Sequence, residues 1–263
     1  MKKLLSIMLT IVLAATMVGL VGCGGSDSGS GDGGEDAGKK YVIATDTVFA
    51  PFEYTDDNGD FVGIDVDILA AVAEDQGFEY ELQSLGFDAA LAAVESGQAD
   101  GMIAGMSITD ERKEIYDFSD EYYDSTVCAA VKADADYASL DDIKGQTVVV
   151  KTGTQSAAWA EEIAEEYELK LVYKDDSAMM YQEVLSGNAA ACFEDFPVMA
   201  YGVSQDNGLK LLVENQESYA TPYGFAVKKG ENAELLEKFN AGLKNIKDNG
   251  KYQEIVDSYT ATE

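Results

Sequence analysis

Histidine is absent from the 263 residues of this chain. Without an imidazole, Ser–His and Cys–His nucleophilic catalysis and histidine-based metal sites are excluded. Basic side chains are also scarce, because 18 lysines and arginines stand against 49 acidic residues, for a formal net charge of −31. Such a surface repels phosphate backbones, which argues against a nucleic-acid partner. We assign no residue as catalytic or as a metal ligand, and we predict no cofactor.

Cysteine is rare as well, at three residues. Cys128 and Cys192 lie in apolar runs and are expected to pack as small buried residues, although a disulfide between them stays open. Cys23 follows a charged start and an apolar run, residues 4–21, which is the form of an export signal. The end of the run, LVGC, resembles a bacterial lipobox, so residues 1–22 are predicted to be a lipoprotein signal peptide and Cys23 its lipidation site. A plain transmembrane anchor is the alternative that the length allows.

Residues 23–39 are rich in glycine, serine and acids and hold almost nothing that can bury apolar area, so they are predicted to be a flexible tether. The folded part then starts near residue 40. It leaves 224 residues, 40–263, which is enough for one large domain or two smaller lobes.

In the folded part, short apolar strand patterns alternate with helical patterns, which predicts α/β units with doubly wound, mostly parallel sheets. Ligands of such sheets bind at the carboxyl ends of the strands. Asp46, Ala104, Gly105 and Ser107 follow predicted strand ends, so we expect them to face one crevice.

The alternation occurs twice, and extended segments near residues 123–127 and 219–223 join the two units. We therefore predict one lobe from 40–123 with 224–263 and a second lobe from 124–223. Two crossings between lobes make a hinge with a cleft, and domain interfaces are preferred sites for small ligands.

Residues 104–123 read AGMSITDERKEIYDFSDEYY. Thr109 is a suitable N-cap for a short helix from Asp110, with Arg112 one turn in. Backbone N–H groups, two hydroxyls and a guanidinium would then converge on a small anion such as a carboxylate. An ordinary solvated helix start, with Arg112 paired to a neighbouring acid, is the alternative.

Five stretches in order and spacing resemble the extracytoplasmic amino-acid-binding proteins of ABC importers. They are ATDTVFAPFEY, VGIDVDILAAVA, AGMSITDERKEIYDFSDEYY, VVKTGTQSA and FEDFP. The resemblance implies a two-lobed, type II periplasmic-binding-protein-like fold. It also implies a lipid-anchored monomer at the extracellular face of a Gram-positive membrane that passes an amino acid to an ABC permease.

By position, the resemblance assigns the ligand α-carboxylate to Arg112, with the Ser107 hydroxyl and the backbone near Thr154 and Gln155. The resemblance assigns the α-ammonium to Asp195, assisted by the Gly105 carbonyl.

Phe49 and Phe87 match the aromatic walls around the ligand side chain, whereas the role of Glu194 stays open. Asp46 and Lys151 match positions that contact the tip of that side chain. Together they offer an acceptor and donors, which suits the neutral amide of glutamine. If Lys151 instead pairs with Asp46 or Glu194, arginine or lysine is the alternative ligand.

Two other functions on the same fold compete with transport. A dehydratase or an enzyme acting on cell-wall glycans could use Glu194 and Asp195 as paired acids, but Asp195 is assigned to the ammonium. A sensor module would need a membrane segment and a signalling domain after the folded part, and the sequence given carries neither.

Overall fold

The computed structural model describes residues 39–260. The predicted signal peptide, Cys23 and almost all of the predicted tether lie outside these residues. The described strands are β1 (Lys40–Thr45), β2 (Tyr54–Thr55), β3 (Phe61–Val62), β4 (Glu79–Ser84), β5 (Gly101–Met102), β6 (Tyr116–Phe118), β7 (Val127–Lys132), β8 (Thr147–Lys151), β9 (Lys170–Lys174), β10 (Ala191–Asp195), β11 (Leu209–Gln216) and β12 (Ala226–Lys228). The described α-helices are α1 (Ile64–Gln76), α2 (Phe87–Glu95), α3 (Gln155–Ala164), α4 (Ser177–Leu185), α5 (Phe196–Ser204), α6 (Ala233–Asp248) and α7 (Lys251–Thr260).

The strands form two five-stranded sheets, in the orders β4-β1-β5-β12-β6 and β11-β7-β10-β8-β9. In the first sheet β1 pairs in parallel with β4 and β5, whereas β12 runs antiparallel to β5 and β6. In the second, β8 is parallel to β9 and β10, whereas β7 is antiparallel to β10 and β11. Four of the five strands in each sheet therefore run in the same direction, and β12 and β7 are the reversed strands. Both sheets are mixed and mostly parallel, which confirms the prediction. The antiparallel strands flank the segments that pass from one sheet to the other.

Each sheet is covered by helices on both faces, so each has its own hydrophobic core. Helices α1 and α6 cover one face of the first sheet and α2 the other. On the second sheet, Trp159 of α3 meets Phe193 edge-on at 4.9 Å between ring centroids. Cys128 and Cys192 pack together on the opposite face of that sheet as free, buried thiols, which answers the open question of a disulfide.

Glycine is required where α1 begins. Gly63 has φ 140°, and a Cβ there would lie 2.0 Å from the carbonyl oxygen of Phe52. The helix therefore starts at Ile64, and Gly77 caps its other end in the left-handed conformation.

The chain crosses between the sheets twice, after β6 and after β11. The two crossings run side by side, since Tyr223 forms isolated antiparallel bridges with Tyr123 and Ser107. The division into lobes at residues 123 and 223 stays a prediction. No helix within residues 39–260 is both long and apolar enough to cross a membrane.

Candidate functional site

Nine of the eleven predicted ligand-binding residues line one cavity. They are Phe49, Phe87, Gly105, Ser107, Arg112, Lys151, Thr154, Gln155 and Asp195. The loops after β1, β5 and β8 supply several of them, together with the start of α2, the start of α3 and the end of β10. The carboxyl ends of strands from both sheets therefore meet here, as expected for ligand sites of α/β sheets.

The two other predicted residues lie beside the cavity. Asp46 is fully buried and reaches it through Lys151. The side chain of Ala104 packs in the core beneath α2, so only its backbone adjoins the cavity, next to Gly105.

A buried ion pair joins the two sheets. Lys151 Nζ lies 2.8 Å from Asp46 Oδ2, and both side chains are almost inaccessible. The ammonium is also 4.2 Å from the Phe49 ring centroid and 5.7 Å from that of Phe87. Burial alone would lower the pKa of Lys151, but Asp46 and Glu194 outweigh it and raise this pKa. The lysine therefore stays charged between the two aromatic rings.

The guanidinium of Arg112 is held by two backbone carbonyls. Nη1 donates to the Ser107 oxygen at 2.9 Å and Nη2 to the Gly153 oxygen at 3.0 Å. Burial lowers the pKa of Arg112 and Asp195 opposes this effect. Because Gly153 follows β8, the second hydrogen bond also joins the two sheets. Both terminal nitrogens of the Arg112 guanidinium thus already donate to oxygen acceptors, and a carboxylate can accept from the same two nitrogens.

The structure has no α-helix starting at Asp110, so that prediction is wrong. Arg112 begins a 3-10 helix of three residues, Arg112–Glu114. Thr109 still caps it, since its hydroxyl accepts from the Arg112 N–H at 3.2 Å. The guanidinium therefore reaches the cavity from a tight turn rather than from a helix N-terminus.

Asp195 is oriented by a tyrosine that the sequence analysis missed. The hydroxyl of the buried Tyr223 donates to Asp195 Oδ2 at 2.6 Å and itself accepts from the Ser125 hydroxyl at 3.0 Å. Burial and Glu194 raise the pKa of Asp195 to about 7. The only sequence signal for Tyr223 was its place in a segment predicted to be extended.

Glu194 faces away from the cavity. Neighbouring residues of a strand point to opposite faces, and Glu194 accepts from the hydroxyls of Ser177 at 2.7 Å and Tyr181 at 2.9 Å. The side chains of Glu194 and Asp195 therefore do not form the pair of acids that an enzyme would need, although the charge of Glu194 acts on Asp195.

The cavity is closed around its lining groups, with about 10 Å³ of room, which is close to what one water molecule requires. An amino acid therefore needs the two sheets to move apart, or the Lys151 and Arg112 side chains to move.

A wider groove of about 650 Å³ lies beside the crossing segments. Among residues 39–260, its lining includes the carboxylates of Glu121 and Asp124 but no lysine or arginine, so these residues do not offer the opposite charges that a zwitterion needs.

Two packed sheets with facing charged and aromatic groups, joined by paired crossings, define a protein that closes around a small solute. A family model described as bacterial extracellular solute-binding proteins, family 3, matches residues 41–262, and the chain belongs to that family. The family and the relatives are solute-binding proteins, not enzymes.

Among curated relatives, the arginine-binding extracellular protein ArtP of Bacillus subtilis is 34% identical over 256 residues, covering 97% of this chain and 96% of that protein. Among solved structures, an ancestral arginine-binding protein bound to glutamine is 36% identical with a TM-score of 0.77, covering 85% of this chain and 98% of that one. Substrate-binding domain 2 of Lactococcus lactis GlnP in the open conformation is 41% identical with a TM-score of only 0.57, covering 88% of this chain and 100% of that one. The TM-score is higher for the ligand-bound structure than for the open one, although the open one has the higher sequence identity. This difference agrees with the closed cavity.

Proposed function

We propose that this protein is the substrate-binding component of an amino-acid ABC transporter, and that it binds a polar L-amino acid, glutamine, in the cavity between the two sheets. The observation that carries the proposal is one cavity lined by the cations Arg112 and Lys151 and the carboxyl group of Asp195, with Asp46 paired to Lys151 beside it. No net charge remains among these four groups, which suits a ligand that is a neutral zwitterion.

The α-groups of the ligand would be bound from opposite sides. Arg112 would exchange its carbonyl acceptors for the α-carboxylate, with Ser107 and the start of α3 at Thr154 and Gln155. Asp195 would accept from the α-ammonium. Hydrogen bonds to charged groups contribute about 1.5–3 kcal/mol each, and a micromolar site needs only about 8 kcal/mol in total.

The ligand side chain would lie between Phe49 and Phe87 and end at the Asp46–Lys151 pair. Lys151 has further N–H donors, and Asp46 Oδ2 has a second lone pair, so the pair can bind the carbonyl and the amino group of a side-chain amide together. A cationic side chain would gain from Asp46 but would lie against the Lys151 ammonium.

Arginine or lysine is the second candidate ligand. The name of the Bacillus subtilis relative favours it. A further buried acid, Glu194, also acts on Lys151 from behind the cavity wall, so the surroundings carry more negative than positive charge.

The transport role also includes the membrane. We propose that Cys23 carries the lipid anchor after removal of residues 1–22, and that the monomeric folded part acts outside the cell and passes its ligand to the permease. Retention of labelled lipid by wild-type protein but not by C23A would support the anchor.

Calorimetry on protein stripped of ligand by unfolding and refolding tests the function. Glutamine is expected to bind more tightly than arginine, lysine or glutamate. K151M should reverse this preference toward arginine, because it leaves Asp46 free to pair with a guanidinium. K174M is the matched control, since Lys174 ends the neighbouring strand and pairs with Glu183 outside the cavity.

Tighter binding of arginine by the wild-type protein would replace glutamine with the second candidate. An unchanged preference in K151M would remove Lys151 from ligand selection. No heat from any polar amino acid would refute the binding function itself.

A further inference from the structure

Two buried carboxyl groups lie behind the cavity wall, and the proposed ligand contacts do not use them. Glu53 lies in the loop after β1, and Asp65 lies in the first turn of α1; both are fully buried. Asp65 Oδ2 accepts two hydrogen bonds at 2.8 Å, one from the Gly105 N–H and one from the Tyr122 hydroxyl. Because Gly105 lines the cavity, this carboxylate holds part of the site's own backbone.

Glu53 lacks such donors. Within residues 39–260, no N–H or O–H group donates to either oxygen of Glu53 or to Asp65 Oδ1. The two residues are nevertheless neighbours, because the Asp65 N–H donates to the carbonyl oxygen of Phe52, the residue before Glu53, at 2.9 Å. Both side chains are fully buried there and act on each other's pKa. Two ionised carboxylates in contact inside a protein are strongly unfavourable. A proton between them removes the repulsion and supplies the missing donor.

We propose that Glu53 and Asp65 share one proton, carried by Glu53 and donated to Asp65, and that this pair is a positioning element that fixes Gly105 at the cavity wall. The chain has little freedom there, because Gly105 has φ 53° and a Cβ on it would lie 2.4 Å from the Phe49 ring. The positioning role rests on the proposed amino-acid binding, whereas the shared proton does not.

The charges around the pair agree with this arrangement. Burial, Asp65 and Asp46 raise the pKa of Glu53 well above its usual range, against the opposing charge of Lys151. Burial raises the pKa of Asp65 only to about 6, because hydrogen bonds stabilise its ionised form.

The tyrosines that face Asp65 also have raised pKa values, chiefly through burial, and stay neutral. They are Tyr122 and Tyr252. The pKa of Glu53 is higher in the folded state than in the unfolded state, so protonation of Glu53 favours folding. The stability that Glu53 contributes is therefore present at low pH. It is lost as pH rises through that pKa.

Infrared spectroscopy of the ligand-free protein tests the shared proton. At about pH 9, roughly two units above the pKa of Asp195, which is about 7, the wild type should show the C=O stretch of a protonated carboxyl group that E53Q lacks. E194Q is the matched control and should keep this band, because Glu194 is equally buried but already accepts from Ser177 and Tyr181. A wild-type spectrum without the band, or an E53Q spectrum that retains it, overturns the proposal.

Glutamine calorimetry over a range of pH tests the positioning role, with circular dichroism as a check on folding. E53Q keeps a donor toward Asp65, so its affinity at neutral pH should match that of the wild type. E53A removes the donor and should bind roughly tenfold more weakly. The ligand ammonium loses its proton at alkaline pH in both proteins. Wild-type affinity should therefore fall further than that of E53Q, because only the wild type also loses the proton of the pair.

Equal weakening in E53Q and E53A, or the same alkaline loss in E53Q and the wild type, overturns the positioning role. Absence of amino-acid binding in the wild type overturns the proposed function and the positioning role together, whereas the infrared result still decides the shared proton.

Discussion

The pKa of Asp195, raised to about 7 by burial and by Glu194, makes ligand binding depend on pH. Tyr223, Lys151 and Arg112 oppose this rise without cancelling it. An α-ammonium group is bound by a carboxylate and not by a neutral acid, so binding requires Asp195 to lose its proton. Affinity should therefore fall as pH decreases through this value.

The magnitude follows from the fraction of ionised Asp195. One pH unit below the pKa, about one molecule in eleven is ionised, so the apparent affinity drops roughly tenfold, or about 1.4 kcal/mol. Above the pKa the dependence levels off. Folding stability changes in the opposite direction. The contribution of Asp195 is complete below its ordinary pKa of 3.8 and is lost as pH rises through about 7.

Titration calorimetry in buffers of different ionisation enthalpy measures both the affinity and the number of protons released. Proton release should approach one per ligand below the pKa and vanish above it. D195N is the control, because it has no proton to release and should show weak binding without this pH dependence. Constant affinity across the range, or equal proton release from D195N, would refute the reasoning.

Two substitutions test the remaining contacts of the α-groups. Arg112→Ala removes both donors of the fork and should weaken binding by about 3 kcal/mol or more, over 100-fold, without loss of the circular dichroism signal; normal affinity would contradict the carboxylate assignment. Tyr223→Phe removes the hydroxyl that favours ionised Asp195, so the pH midpoint of binding should move upward. An unmoved midpoint in the same calorimetric titration would show that Tyr223 does not act on Asp195.

The sequence predicts most elements because apolar runs and glycines mark their ends. Gly77 caps α1 in the left-handed conformation, and the apolar run of Thr147–Lys151 forms β8. Strand direction is a different matter, because periodicity describes which side chains are buried and not which way the chain runs. The antiparallel placement of β7 and β12 therefore had no local signal.

The turn at Arg112 shows how tertiary structure overrides a local pattern. Thr109 and two acids are a typical helix start, yet only Arg112–Glu114 is helical. Tyr116–Phe118 joins β12 in the first sheet immediately afterwards. Short helices are marginal by themselves, so the strand pairing determines where this one ends.

The charged and aromatic residues of the site could be predicted because they follow strand ends or match a family pattern. The residues that position them could not. Tyr223 lies 28 positions from Asp195 in the chain, and Glu53 acquires its partner only when α1 folds against the loop after β1. Asp65 lies in the first turn of α1, and its burial against Gly105 has no counterpart in the sequence.

The contacts that close the cavity also explain how a ligand can favour closure. The interactions that join the sheets without ligand include the Asp46–Lys151 ion pair and the hydrogen bond from Arg112 to Gly153. A bound carboxylate would replace the hydrogen bond from Arg112 to Gly153, so that Arg112 donates to a charged oxygen in place of a neutral carbonyl. The same carboxylate would accept from the N–H groups at the start of α3. These contacts come from both sides of the cavity, so only the closed form makes all of them. The ligand would therefore bind the closed form more tightly than the open form, and this difference in affinity would shift the population toward closure.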